Sequence, residues 1–134
     1  MKISLAFAFL FVACNLTSDP HSQGDVSVVS KKCQGAPGGA KRAVEPHFAT
    51  LSKDSASGTP IFTFISIFYC SSNAYFNGTV RDTTLVIVSE QPKNYTVTGC
   101  ACDIQFIFQF KGDDAAARKI RLIKFNADSI PVAP

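Results

Sequence analysis

The sequence predicts an α+β domain in which one bent N-terminal helix packs on a curved, mostly antiparallel sheet of four to five strands. Three observations carry that expectation. Apolar positions recur at intervals of three and four between residues 40 and 51, the spacing of one helix face. Residues 103–110 alternate with period two, the spacing of a strand with one face inward. Ahead of them lies a run from Ile61 to Cys70 with β-branched and aromatic residues on both parities, which reads as a strand covered on both faces. The composition agrees, since 12 Phe with many Ile and Val and no Trp favour sheet over a helix bundle.

Taken in order, the helical stripe comprises Ala40, Ala43, Val44, His47, Phe48 and Leu51. It crosses Pro46 without changing phase, so the helix is expected to bend there rather than stop. Ser55, Ser57, Gly58 and Pro60 make residues 52–60 a loop. The apolar strand 61–70 follows, then a turn over residues 71–78. Residues 83–89 form a second strand, Gln91-Pro92-Lys93-Asn94 a turn, and 95–98 a third strand with Gly99 as a bulge. In 103–110, Ile104, Phe106, Phe108 and Phe110 share one parity and Gln105, Ile107 and Gln109 the other. Lys111-Gly112-Asp113-Asp114 reads as a hairpin turn, and 115–125 starts as helix and ends as a strand. One helix covers only part of such a sheet, so the sheet is expected to curl around its aromatic face. Phe64, Phe106, Phe108 and Phe110 are therefore the candidate ligand-facing residues.

The N-terminus reads as an export signal. Met1-Lys2 precedes an apolar run from Ile3 to Ala13, shorter than the roughly 20 residues of a membrane span. The expected organisation is a signal over 1–18, a flexible arm over 19–39, one domain over 40–126 and a tail over 127–134, with no transmembrane segment. Export implies an oxidising compartment. Of five cysteines, Cys14 falls in the leader, which leaves Cys33, Cys70, Cys100 and Cys102 as disulfide candidates. Cys100 and Cys102 would share one face of a strand, about 6.6 Å apart. Each is therefore expected to reach Cys33 or Cys70 rather than its neighbour. A metal site is disfavoured by that spacing and by a supply of two histidines, His21 and His47.

Three Asn-x-Thr triplets begin at Asn15, Asn77 and Asn94, where chance would give about one. Asn15 lies beside the expected cleavage point. Asn77 and Asn94 are the glycosylation candidates and should occupy exposed turns. The net charge of +3 is small. In the densest basic stretch, 118–124, the charges interleave with Ile120, Leu122 and Ile123, as on a half-exposed strand rather than a nucleic-acid face. No cofactor motif is present. Nucleophilic catalysis needs a base beside the nucleophile, and His47 with Asp103 is the pair the sequence offers. Asp113-Asp114 belongs to a hydrated turn, so the sequence points away from an enzyme.

Certain motifs resemble known families. Val12-Ala13-Cys14 is similar to the end of a bacterial lipoprotein signal, which implies an acylated Cys14 and a lipid-anchored surface protein, although Phe11 departs from that pattern. Cys33 and Gly35, Ser52-Lys53-Asp54, residues 64–70 with Tyr75, then Tyr95, Val97 and Gly99 and residues 106–110 resemble secreted nematode proteins with a nuclear-transport-factor-two-like domain. That resemblance implies a cone of curved sheet closed by helices, with a ligand pocket. It carries over no catalytic residue. Gly38-Gly39 ahead of a helix and Tyr95-Thr96-Val97-Thr98-Gly99 are similar to the glycine start and the hairpin of cystatins, and imply inhibition of cysteine proteases. The chain departs from cystatins in Tyr95, in having no Trp and in strand order. The expectation overall is a secreted, disulfide-stabilised, non-catalytic glycoprotein that binds a hydrophobic ligand or an extracellular protein. A cystatin-like inhibitor and a lipid-anchored surface protein are the alternatives.

Overall fold

The computed structural model describes residues 22–36, 48–69, 74–91 and 100–134. Nine strands in two sheets and one helical turn make up these residues. They are β1 (Ser22–Gly24), β2 (Val26–Cys33), β3 (Thr50–Lys53), β4 (Pro60–Tyr69), β5 (Tyr75–Arg81), β6 (Thr84–Glu90), β7 (Ala101–Phe110), α1 (Asp114–Arg118), β8 (Leu122–Phe125) and β9 (Asp128–Pro131). The α+β expectation is thereby corrected to two facing β-sheets. One has the order β1-β5-β6-β8-β9, the other β2-β7-β4-β3. Parallel pairing occurs at β1 with β5 and at β6 with β8, and the remaining pairs are antiparallel. The parallel β6–β8 pair needs a crossover. The chain makes it by visiting the opposite sheet as β7 and returning through α1.

Aromatic alternation builds the interface between the sheets. Phe62, Phe64 and Phe68 of β4 and Phe106, Phe108 and Phe110 of β7 are buried on one side, and Phe76, Leu85, Ile87, Ile123 and Phe125 come from the other. Phe125 lies 4.7 Å from Phe106 and 5.4 Å from Phe64, centroid to centroid, and Phe76 sits 5.5 Å from Phe108. Rings from both sheets therefore interlock at separations where each pair adds about 0.5–1.5 kcal/mol beyond its buried area. One hydroxyl enters this layer. Ser66, buried on β4, donates to Asp128 of β9 at 2.5 Å and so ties the sheets together.

The sheets are also stitched along both margins. At one, the chain switches sheets between β1 and β2, where Gly24 has φ +78° and an added Cβ would stand 2.2 Å from the Gly78 carbonyl oxygen. Only glycine fits such a place. Asp25 completes the corner. Its amide donates to Gly78, its carbonyl accepts from Lys111, and its carboxylate accepts the Val80 N–H at 3.1 Å. Val26 then packs directly on Gly78, where a Cβ would meet Val26 Cγ2 at 2.5 Å. At the other margin Ala49 of the four-stranded side bridges Val132 beyond β9, with Ala49 N–H donating to Pro131 and Ala133 N–H to Ala49.

Five local expectations change for identifiable reasons. The bent helix was expected to end at Leu51, but residues 50–53 form β3, paired with Pro60–Thr63. Its earlier part, 40–47, lies outside the described residues. The flexible arm contains β1 and β2, because an edge strand with one fully buried residue, Val26, is polar enough to pass for a linker. The turn expected over 71–78 is β5 from Tyr75 onward, where Gly78 serves close packing rather than chain reversal. Residues 111–114 do not close a hairpin. Asp113 instead caps α1, accepting the Ala116 N–H at 2.7 Å, as N-cap aspartates do. The expected tail contributes β9.

Candidate functional site

The four Phe proposed from sequence as ligand-facing form the centre of the core. Phe64 contacts Phe106 at 5.6 Å and Phe108 at 5.8 Å, and exposures of 0–3% leave these rings no free face. Phe110 alone of the four borders a described cleft, an open depression of about 490 Å³ between the β3–β4 loop and the start of α1. Pro60 and Phe110 line it beside polar groups, Ser57, Thr59, Asp113 and Asp114 among them. These groups already serve local structure. Asp54 Oδ2 accepts from the Ser57 hydroxyl at 2.7 Å and from its N–H at 3.0 Å. The Ser57 hydroxyl, with help from its N–H, holds the Asp54 carboxyl below the usual carboxylate range. Asp114 pairs with Arg118 at 2.9 Å and Lys53 at 3.6 Å.

A second cleft of about 340 Å³ opens at the end of the sheets where β4 and β6 finish and β7 begins. Ile67, Phe68, Tyr69 and Ala101 give it apolar walls, and Ser89 and Asn126 supply a polar side. Alternation on β4 explains the arrangement. Phe68 points into the core, so Ile67 and Tyr69 must point out, and they are 46% and 38% exposed. Asn126 holds the opposite wall. With φ 54° it turns the β8–β9 hairpin in the left-handed region that asparagine tolerates. Its Oδ1 accepts the Ser89 N–H at 2.9 Å, and its Nδ2 donates to the Ser89 hydroxyl at 3.0 Å. A cleft with mostly apolar walls, a fixed polar side and exposed aromatic and aliphatic groups at its rim is a recognition geometry.

The other sequence candidates are placed as follows. Cys33 and Cys102 form a disulfide between β2 and β7, Cα to Cα 5.6 Å. Cys100 is also disulfide-bonded, whereas Cys70 lies outside the described residues. Asn77 is exposed, but in the middle of β5 rather than in a turn. Asn94 and the 95–98 strand lie outside the described residues, as do Val97, Gly99 and His47. Asp103 is 8% exposed on β7, its amide donating to Gly35 and its carbonyl accepting from Gln34. Of the basic stretch, Arg121 and Lys124 face out while Ile120 and Ile123 are buried. Sequence reading missed Ile67, Tyr69, Ser89 and Asn126 as a group. The available signal was apolar residues on the outward parity of β4, opposite Phe62, Phe64 and Phe68.

Among the described residues, no group of three or more His, Cys, Asp or Glu side chains is placed to hold a metal ion. No helix there is long and apolar enough to cross a membrane. Compared with family models, curated proteins and solved structures, the chain finds no match.

Proposed function

We propose that this chain is an exported, non-catalytic binding module that engages an extracellular protein through the apolar end cleft around Ile67, Phe68 and Tyr69. The observation that carries this reading is the exposure of Ile67 and Tyr69 at the rim of a cleft whose floor, Phe68, belongs to the core. A contact there rests on a rigid base, and Tyr is a preferred interface anchor. The solid packing of Phe64, Phe106 and Phe108 argues for a docking partner rather than a small molecule enclosed between the sheets. The non-catalytic part is supported by the carboxylates. Asp25, Asp54, Asp113, Asp114 and Asp128 are each engaged by a backbone N–H, a hydroxyl or a cation.

The test is cross-linking of the full secreted chain in the medium of the cells that produce it, with wild type compared to Tyr69→Ser and Ile67→Ser. Tyr69→Ser should weaken recovery of a specific cross-linked partner by about 30-fold, the equivalent of a 2 kcal/mol anchor. Equal recovery from both variants and wild type refutes the site. A mass spectrum of the secreted protein that shows a co-purified apolar molecule, retained in Tyr69→Ser, refutes the protein-partner reading.

A further inference from the structure

The outer face of the five-stranded sheet carries two exposed apolar side chains, Tyr75 at 39% and Val88 at 51%. They surround the Asn77-Gly78-Thr79 triplet in a specific register. On a strand, residues two apart share a face, so Tyr75, Asn77 and Thr79 all point outward while Phe76 and Gly78 point in. Asn77 pairs directly with Val88 across β5 and β6, and Thr79 pairs with Val86. Directly opposite side chains on neighbouring strands are separated by about 5 Å at Cβ. On the other flank, β1 offers Gly24, whose added Cβ would stand 2.7 Å from Asn77 Oδ1. Gln23 of β1 is the residue in register with Asn77, and the Asn77 carboxamide leans over Gly24, which has no side chain to obstruct it.

We infer that Asn77 carries an N-linked oligosaccharide whose first sugar lies on Val88 and Tyr75 and covers this face, leaving the end cleft as the open recognition surface. The inference rests on the export reading. In the transfer step, Asn77 Nδ2 forms a bond to C1 of a sugar on a lipid-linked pyrophosphate donor. The C1–oxygen bond breaks, the lipid pyrophosphate leaves, and the amide gives up one proton. Transfer to an extended, unfolded chain meets no obstacle from the strand that later forms. The folded register then keeps the carboxamide facing solvent, which a bulky glycan requires. Pyranose rings present a C–H face that aromatic and aliphatic side chains cover. Tyr75 and Val88, exposed on either side of Asn77, are where such a ring would rest.

The experiment expresses the full chain with its own leader in eukaryotic secretory cells. The tryptic peptide over residues 54–81 is then analysed before and after treatment with an N-glycan amidase. Asn77 should be glycosylated, converted to Asp by the amidase, and bare in Asn77→Gln and Thr79→Ala but not in Thr79→Ser. Removing the glycan from the folded protein should raise binding of an apolar fluorescent dye several-fold. Val88→Thr in the stripped protein should bring it back down. Secreted protein with an unmodified Asn77 overturns the inference alone. Stripping that leaves dye binding unchanged overturns the shielding. Retention of the chain inside the cell overturns the export reading and the inference together.

Discussion

The contact between Gly78 and Val26 at the sheet-switching corner gives the sharpest test of the packing. In Gly78→Ala the new methyl would stand 2.5 and 2.9 Å from the two Val26 methyls, against about 3.5–4.0 Å for carbon atoms in contact. Overpacking of that size costs about 1–3 kcal/mol, offset by about 0.4–1 kcal/mol from the smaller freedom of Ala in the unfolded chain. The net expectation is a loss of about 1–2 kcal/mol. Val26→Ala removes two buried methyls at about 0.8 kcal/mol each and leaves a void, for about 2–3 kcal/mol in all. If the sites were independent the double variant would lose about 3–5 kcal/mol. The methyl added by Gly78→Ala instead enters the space that Val26 vacates, so the double variant should lose only about 1–2 kcal/mol. Urea unfolding with the disulfides intact measures this, and at a slope near 2 kcal/mol/M the coupling separates the midpoints by roughly 1 M. Additivity to within about 0.5 kcal/mol would mean that Val26 does not pack on Gly78, and the corner described above would be wrong.

Three further outcomes follow from the structure. Replacing Cys33 and Cys102 together by Ser opens a loop with a separation of 69 residues and should lower stability by about 4 kcal/mol in urea, by the chain-entropy relation; an unchanged midpoint refutes the pairing. Asp128→Ala strands the buried Ser66 hydroxyl and should cost about 1–3 kcal/mol, more than Ser66→Ala, which leaves Asp128 free to hydrate; the reverse order in thermal unfolding counts against the cross-sheet bond. Ser57→Ala should let the Asp54 carboxyl rise toward its ordinary value in a carbon-detected NMR titration. Because the folded value is the depressed one, the stabilising effect of that turn is present above the unfolded pKa and is lost as pH falls through the folded pKa. A titration of Asp54 identical in the two proteins would show that Ser57 does not hold it.

Legibility in the sequence followed the strength of the alternation. β7 is readable because Ile104, Phe106, Phe108 and Phe110 alternate with polar or outward residues, and the structure buries that whole set. β4 was readable as a strand, although apolar residues on both parities concealed which face was inward. The short elements β1, β3 and β9 have no more than four residues each, too few for a period to show. β5 was hidden by Asn77-Gly78, a dipeptide that turns chains elsewhere and here serves packing. Pairing of β1 with β5 and of β6 with β8 has no local signature at all. The end cleft was illegible for a related reason. Tyr69, Ser89, Ala101 and Asn126 belong to different segments, and only the tertiary arrangement brings them to one rim.

The partnership of β2 with β7 carries a kinetic consequence. Val26 must find Phe110, and Cys33 must find Ile104, so the earliest-made strand of the four-stranded sheet waits for its last. Such distant pairings slow the search for the native arrangement, and the β4 edge opposite β3 remains sticky until β7 arrives to cover it. The Cys33–Cys102 bond joins the paired strands that lie farthest apart in the sequence, and once made it spares the molecule from repeating that search after every transient opening.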